Sequence, residues 1–93
     1  MVMVFDWDTD KNEWLNNERN ISFEQICVAV EAGDLLEVLT HPNQVRYAHQ
    51  IVMLVKIDDY VYAVPTVVQK DVYFMKTAYP SRKYTAMYLP KRR

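Results

Sequence analysis

The sequence predicts an α+β protein, in which a strand and two helices precede most of a mainly antiparallel sheet. Three observations support this class: a complete helix-capping motif before residue 33, aliphatic runs after residue 50, and short polar turns between those runs. With 93 residues, the chain has room for a single domain, residues 1–93. Hydrophobic residues make up 51% and charged residues 25%, which is the composition of a globular domain rather than of a disordered segment.

The N-terminal segment predicts a strand followed by a first helix. Residues 1–7 alternate weakly between two apolar sides, as strand residues do. Asp8, Thr9 and Asp10 carry oxygens that can accept hydrogen bonds from the free N–H groups at a helix start. We therefore expect a helix over residues 10–18.

The second helix has the clearest local signal in the chain. Ser22 and Gln25 form a capping box, in which each side chain bonds the backbone N–H of the other residue. Gly33 suits the left-handed conformation that ends a helix. We expect this helix over residues 23–32. Its apolar stripe consists of Phe23, Ile26, Cys27 and Val30.

The rest of the chain predicts a short strand and then a three-stranded meander. Two- or three-residue turns between the last three strands require antiparallel neighbours. Pro65 cannot donate to a sheet ladder, so it marks a bulge or an edge. Residues 81–93 are basic and have room for one helical turn before Pro90. The expected strands cover residues 35–40, 50–57, 60–68 and 72–79.

The aliphatic run Val52–Val55 has no polar residue at alternate positions. Both faces of its strand therefore need cover. The helices supply one cover, and we expect the other from elsewhere, such as a partner chain. Trp7 and Trp14 are expected to pack in the core rather than to stack on nucleic-acid bases.

Charge divides sharply along the chain. Residues 1–44 contain nine acidic and two basic residues, a net charge of −7, whereas residues 45–93 contain nine basic and three acidic residues, a net charge of +6. A basic half is typical of proteins that contact polyanions, although a tail that only aids solubility leaves the same pattern. A single glycine cannot build a glycine-rich phosphate loop. A single cysteine, Cys27, excludes an internal disulfide and a cysteine-based zinc site.

No segment predicts a membrane span or an export signal. No apolar run approaches the ~18 residues that a spanning helix needs. The first eight residues turn acidic at once and lack the basic start of a signal peptide. We expect a cytoplasmic protein with no membrane contact.

Two segments resemble a known family when they are taken together. The first comprises Phe5–Asp8, Lys11-Asn12 and the box Asn20–Glu24, and the second is Lys76–Lys83. They resemble the BrnT-like toxins of bacterial type II toxin–antitoxin pairs, small RelE-like α+β proteins that act as ribonucleases and arrest translation. The resemblance spans nearly the whole chain and keeps the order of its elements. Arg82 and Lys83 match a basic pair of that family.

The resemblance implies a metal-independent endoribonuclease that needs no cofactor. Its partners would be RNA, either free or ribosome-bound mRNA, and a cognate antitoxin that neutralises it. A homodimer and a toxin–antitoxin heterotetramer are both compatible with the resemblance. Cleavage through the 2′-hydroxyl of RNA needs a base, an acid and cations that stabilise the phosphate. The candidate catalytic residues are Arg82, Lys83, Lys76, Tyr79 and His41.

Strand geometry and side-chain chemistry guide the choice of candidate residues. A regular last strand would direct Lys76 and Ala78 to one face and Thr77 and Tyr79 to the other. The guanidinium of Arg82 fits phosphate bidentately. Histidine exchanges a proton near neutral pH, which suits acid or base work. The candidate RNA-binding residues are Arg46, His49, Lys11, Arg19 and Ser81.

Two other functions remain open at this point. One is a catalytically inactive module that only docks with an antitoxin. The family usually has a basic residue followed by a histidine just before the segment that corresponds to Ile21–Glu24. This sequence has Arg19-Asn20 there, so the histidine is missing, which favours this alternative. The other is a small RNA-binding domain, which predicts salt-dependent RNA affinity without cleavage.

Overall fold

The structure is a computed structural model, and it describes residues 3–90. It is an α+β fold built on one six-stranded mixed sheet. In chain order the elements are β1 (Val4–Trp7), α1 (Thr9–Arg19), α2 (Phe23–Glu31), β2 (Leu35–Thr40), β3 (Gln50–Ile57), β4 (Tyr60–Gln69), β5 (Val72–Met75), β6 (Tyr79–Pro80) and α3 (Arg82–Tyr88). The predicted start of β1 at residues 1 and 2, and the basic residues 91–93, lie outside the described residues.

The strands lie in the order β1-β5-β4-β3-β2, with β6 also paired to β4. The predicted meander is confirmed, because β3, β4 and β5 are successive antiparallel neighbours. β1 instead pairs in parallel with β5, and Val4 lies opposite Val72. The sheet is therefore completed by residues from both ends of the described chain.

Local hydrogen bonds define the predicted helix ends. The Asp8 side chain accepts from the Lys11 N–H at 3.2 Å and caps α1. α1 ends at Asn20, whose φ of 55° lies in the left-handed region that asparagine tolerates. The capping box of α2 is confirmed, with both bonds between Ser22 and Gln25 at 3.2 Å. Gly33 follows α2 with a φ of 90°, as its predicted role requires.

The two faces of the sheet are covered by different helices. Strand residues Met53 and Val55 pack with the buried side chains of α1 and α2 on one face. Leu54, on the other face of β3, packs with Val61 and Ala63 in a second buried cluster. The need for cover on both faces is therefore confirmed. The expected partner chain is not what covers this cluster, because side chains of the C-terminal segment pack against it: Tyr84, Tyr88 and Leu89.

The predicted last strand, residues 72–79, is wrong in its second half. β5 ends at Met75, and after an irregular stretch β6 pairs with β4 at a new position. The break lies opposite Pro65 of β4, whose carbonyl oxygen accepts from the Lys76 N–H at 2.8 Å. Pro65 has no N–H group to donate to a neighbouring strand. It therefore lies in β4 between the part that pairs with β5 and the part that pairs with β6. The predicted sharing of one face by Lys76 and Ala78 also fails, since Lys76 is exposed and Ala78 is fully buried.

The prediction for the two tryptophans holds only for Trp7. The Trp7 ring stacks on Phe23 at a centroid distance of 5.7 Å and packs on the core. Trp14 is 42% exposed, and its neighbour Leu15 supplies the buried contact of α1 instead. No helix within the described residues is long and apolar enough to cross a membrane.

Candidate nucleic-acid interface

The candidate site lies on the sheet face opposite α1 and α2. Pairing places Gln50, Val67 and Phe74 side by side in one row across β3, β4 and β5. Paired strand residues point to the same face, and this row shares its face with Leu54 by period-two alternation. α3 packs over the cluster around Leu54, which leaves this row beside it. Lys76 follows Phe74 by two residues at the end of the row.

Two adjoining hollows on this face form what we call the Lys76 cleft. Both are lined by Val67 and Lys76, so they lie on either side of these two residues. One has a volume of about 430 Å³, and its polar or aromatic lining residues are Arg46, Tyr47, His49 and Gln50. The other has a volume of about 380 Å³, and its remaining lining residues are Asp6, Gln69, Val72 and Phe74.

The loop between β2 and β3 brings Arg46 and Tyr47 to the cleft. Asn43 organises this loop, because its side-chain oxygen accepts from the Arg46 N–H at 3.1 Å and its carbonyl accepts from the Tyr47 N–H at 2.9 Å. The rings of His41 and Tyr47 stack with centroids 4.0 Å apart. The Arg46 guanidinium carbon lies 5.6 Å from the Tyr47 ring centroid. The loop therefore presents a cation beside a pair of stacked rings.

The hydrogen bonding of His41 limits its chemistry. Its Nδ1 accepts a hydrogen bond from the Asn43 N–H at 3.0 Å. In the neutral ring the proton therefore resides on Nε2, because an accepting nitrogen carries no hydrogen. His41 is thus arranged to donate through Nε2, and not to act as a base through Nδ1.

Backbone bonds hold His49 and Lys76 near the row. The His49 carbonyl accepts from the Val68 N–H at 2.8 Å, which ties the loop to the end of β4. Lys76 is tied to Pro65 by its N–H, while its side chain is exposed. The cleft consequently brings together three of the sequence-predicted site residues: Arg46, His49 and Lys76.

The other four candidates from the C-terminal half lie along β6 and α3, outside the lining of the cleft. Arg82 and Lys83 are exposed in the first turn of α3, and the Lys83 Nζ lies 5.2 Å from the Tyr84 ring centroid. The Ser81 hydroxyl accepts from the Tyr84 N–H at 3.1 Å, so it caps this helix. Tyr79, 42% exposed, belongs to β6. α3 packs on the same sheet face that carries the cleft, so its basic first turn flanks that face.

Lys11 and Arg19 form a separate group around Trp14. The Lys11 Nζ lies 4.2 Å from the Trp14 ring centroid, and the Arg19 guanidinium carbon lies 4.8 Å from it. Arg19 also donates to the Ala78 carbonyl at 2.5 Å. These cation–π contacts, with the bond to the segment before β6, explain how an exposed tryptophan is held on the surface of α1.

Tyr47 and Asp6 line the cleft but are not among the candidate site residues chosen from the sequence. The sequence has seven tyrosines, any of which could stack on an RNA base, and the ring contact with His41 is what distinguishes Tyr47. Asp6 reaches the cleft because β1 pairs with β5 and places Asp6 opposite Phe74. Its Oδ1 accepts from the Trp7 N–H at 2.9 Å. Alternation in β1 assigns Asp6 to a different face from Phe5 and Trp7, but it does not indicate that β1 lies beside β5.

Among the described residues, no group of three or more histidine, cysteine, aspartate or glutamate side chains is placed to hold a metal ion. Comparisons with protein-family models, with curated proteins and with solved structures gave no match for this chain.

Proposed function

We propose that this protein is the toxin of a bacterial type II toxin–antitoxin pair, a cytoplasmic endoribonuclease of the BrnT-like, RelE-like type that acts without a metal. The observation that carries the proposal is the Lys76 cleft, where Arg46 and Lys76 meet Tyr47 and His49 on an open sheet face. Cations neutralise RNA phosphates, and an aromatic ring stacks on an unpaired base. The order of elements in the α+β fold also supports it, because the resemblance implies the same order.

The two hollows suggest how the reaction would be arranged. We place the scissile phosphate at Lys76, because Lys76 shares one hollow with Asp6 and the other with His49. His49 also lines a hollow on the opposite face of the sheet, so this arrangement requires its imidazole to turn toward Lys76. Asp6 takes the proton of the 2′-hydroxyl, whose oxygen attacks the adjacent phosphorus. Protonated His49 gives a proton to the 5′-oxygen that leaves. Lys76 and Arg46 stabilise the charge that builds up on the phosphoryl oxygens. The products are a 2′,3′-cyclic phosphate and a free 5′-hydroxyl.

The basic first turn of α3 has a supporting role in this proposal. Arg82 and Lys83 lie beside the cleft face and bind phosphates of the flanking nucleotides. The acidic residues of α1 and α2 lie across the sheet, where they repel RNA from the wrong face. A cognate antitoxin would neutralise the protein by covering the cleft.

The test is induced expression in a bacterial host, followed by growth measurement and analysis of total RNA. Wild type is compared with Lys76→Ala, with the double variant Arg82→Ala/Lys83→Ala and with Lys70→Ala as a control. Lys70 is also an exposed lysine, but it lies in the turn between β4 and β5, outside the cleft lining. We expect growth arrest and cut RNA with wild type and with the control, and intact RNA with Lys76→Ala. Purified wild type should cut RNA in EDTA and leave cyclic phosphate ends.

RNA binding without cleavage is the second candidate function. The observation that favours it is that Arg82 and Lys83, the residues matching the family's basic pair, do not line the cleft. Intact RNA and normal growth with the wild type, together with salt-dependent RNA binding in vitro, would establish this function and overturn the ribonuclease proposal.

A further inference from the structure

A separate groove lies on the helix side of the molecule. It runs between α2 and the end of the β3–β4 hairpin and has a volume of about 440 Å³. Val28 of α2 lines it and is 67% exposed, so an aliphatic side chain faces solvent at the groove. Ala29, Ala32 and Ile57 supply further apolar lining.

The rim of this groove is acidic. Glu24, Asp34 and Asp58 line it, and Lys56 is the one basic residue among its described lining residues. The Lys56 ammonium lies 3.9 Å from the carboxylate of Asp59, so its charge is already partly balanced.

Hydrogen bonds favour the charged form of one rim residue, Glu24. The Asn12 side chain donates to Glu24 at 2.8 Å and lowers the pKa of that carboxyl group, with further lowering by backbone and Ser22 hydrogen bonds. The charge of Glu24 also affects the thiol of Cys27. Burial raises the pKa of its thiol, and the charges of Glu31 and Glu24 raise it further.

We propose that this groove binds an amphipathic helix of a partner protein, with apolar residues over Val28 and lysine or arginine residues along both edges. Charge complementarity with the three rim carboxylates identifies the partner as basic. α2, nine residues long, extends ~13 Å, which accommodates between two and three turns of a helix laid alongside it. The groove lies across the sheet from the Lys76 cleft, so the partner and RNA bind at the same time. This inference does not depend on the proposed ribonuclease activity.

The test uses the full chain and two synthetic 18-residue peptides labelled with a fluorophore. One peptide repeats leucine and lysine at helical spacing, and the other has glutamate in place of each lysine. Fluorescence anisotropy measures their affinities. We expect the lysine peptide to bind at least about tenfold more tightly than the glutamate peptide, and its affinity to fall as salt is raised, because surface charge attraction is screened.

Two variants and one control locate the binding. Val28→Lys places a cation among the carboxylates and blocks the apolar contact, so binding should weaken by about tenfold or more. Asp58→Asn keeps the turn, because asparagine also adopts the φ of 52° found there, and should weaken binding by about two- to fivefold. Val38→Lys is the control, since Val38 is a 44% exposed valine on β2, away from the groove.

Circular dichroism and thermal unfolding verify that each variant is folded. Equal affinity of the lysine peptide for wild type, Val28→Lys and Asp58→Asn would overturn the proposal. An equal loss with Val38→Lys would also overturn it, as would tighter binding of the glutamate peptide.

Discussion

Removing the two permanent cations of the Lys76 cleft should reduce RNA affinity by a calculable amount. In the double variant Arg46→Ala/Lys76→Ala, two phosphate contacts are lost, because both residues line the same hollow. Each contact with single-stranded nucleic acid contributes ~0.7 to the slope of log affinity against log salt, so the slope should fall by ~1.4. At ~0.1 M salt, that change corresponds to a loss of about 25-fold in affinity. Fluorescence anisotropy with a 2′-O-methyl oligonucleotide, which cannot be cleaved through its 2′-oxygen, measures the slope directly.

A matched control separates the cleft from general charge. Lys56→Ala/Lys70→Ala removes the same number of positive charges from residues that do not line the cleft. We expect this control to keep the wild-type slope to within a few tenths. If both double variants lose the same slope, the basic half attracts RNA diffusely and the reasoning about the cleft is refuted. An unchanged slope in the cleft variant would also refute it.

Three further predictions concern stability and reactivity. Leu15→Ala should lower the free energy of unfolding by ~2–5 kcal/mol because Leu15 is fully buried. Trp14→Ala should lower it by ~1–2 kcal/mol, because it removes two cation–π contacts. Urea unfolding measures both, and equal losses would contradict the burial argument. Ser22→Ala should cost ~1 kcal/mol in the same assay through loss of the capping box, and no loss would contradict that role. Because the Cys27 pKa is raised, iodoacetamide should alkylate its thiol more slowly at pH 8 than the thiol of a free cysteine. Glu31→Gln removes one of the charges that raise this pKa and should speed the reaction. An unchanged rate in that variant would exclude the charge effect.

Elements defined by neighbouring residues could be predicted from the sequence. The capping box, the left-handed residue after α2 and the turn at Asp58 and Asp59 all depend on groups within a few positions of one another. The end of β5 could not be predicted in this way. Val72 to Tyr79 has strand composition throughout, and the break is imposed by Pro65 on the neighbouring strand.

The candidate site was predictable as residue types but not as an arrangement. Charge and proton chemistry indicate Arg46, His49 and Lys76 in the sequence. These residues come together because Val67 of β4 pairs with Gln50 of β3 on one side and with Phe74 of β5 on the other. Asp6 entered the cleft through the parallel pairing of β1 with β5, and a single sequence does not reveal which strands pair in parallel. The exposure of Trp14 could not be predicted, because the apolar pattern of α1 does not reveal its ring contacts with Lys11 and Arg19.

The parallel pairing of β1 with β5 has a consequence for synthesis of the protein. β1 cannot find its neighbour until residue 75 has left the ribosome, because Trp7 pairs with Met75. Contacts between such distant residues slow folding, since a long loop must close before they form. We therefore expect the β3–β4–β5 meander to form first and β1 to dock late. A nascent chain would then remain without its complete cleft, which requires Asp6 and Lys76 together, until residue 76 has been translated.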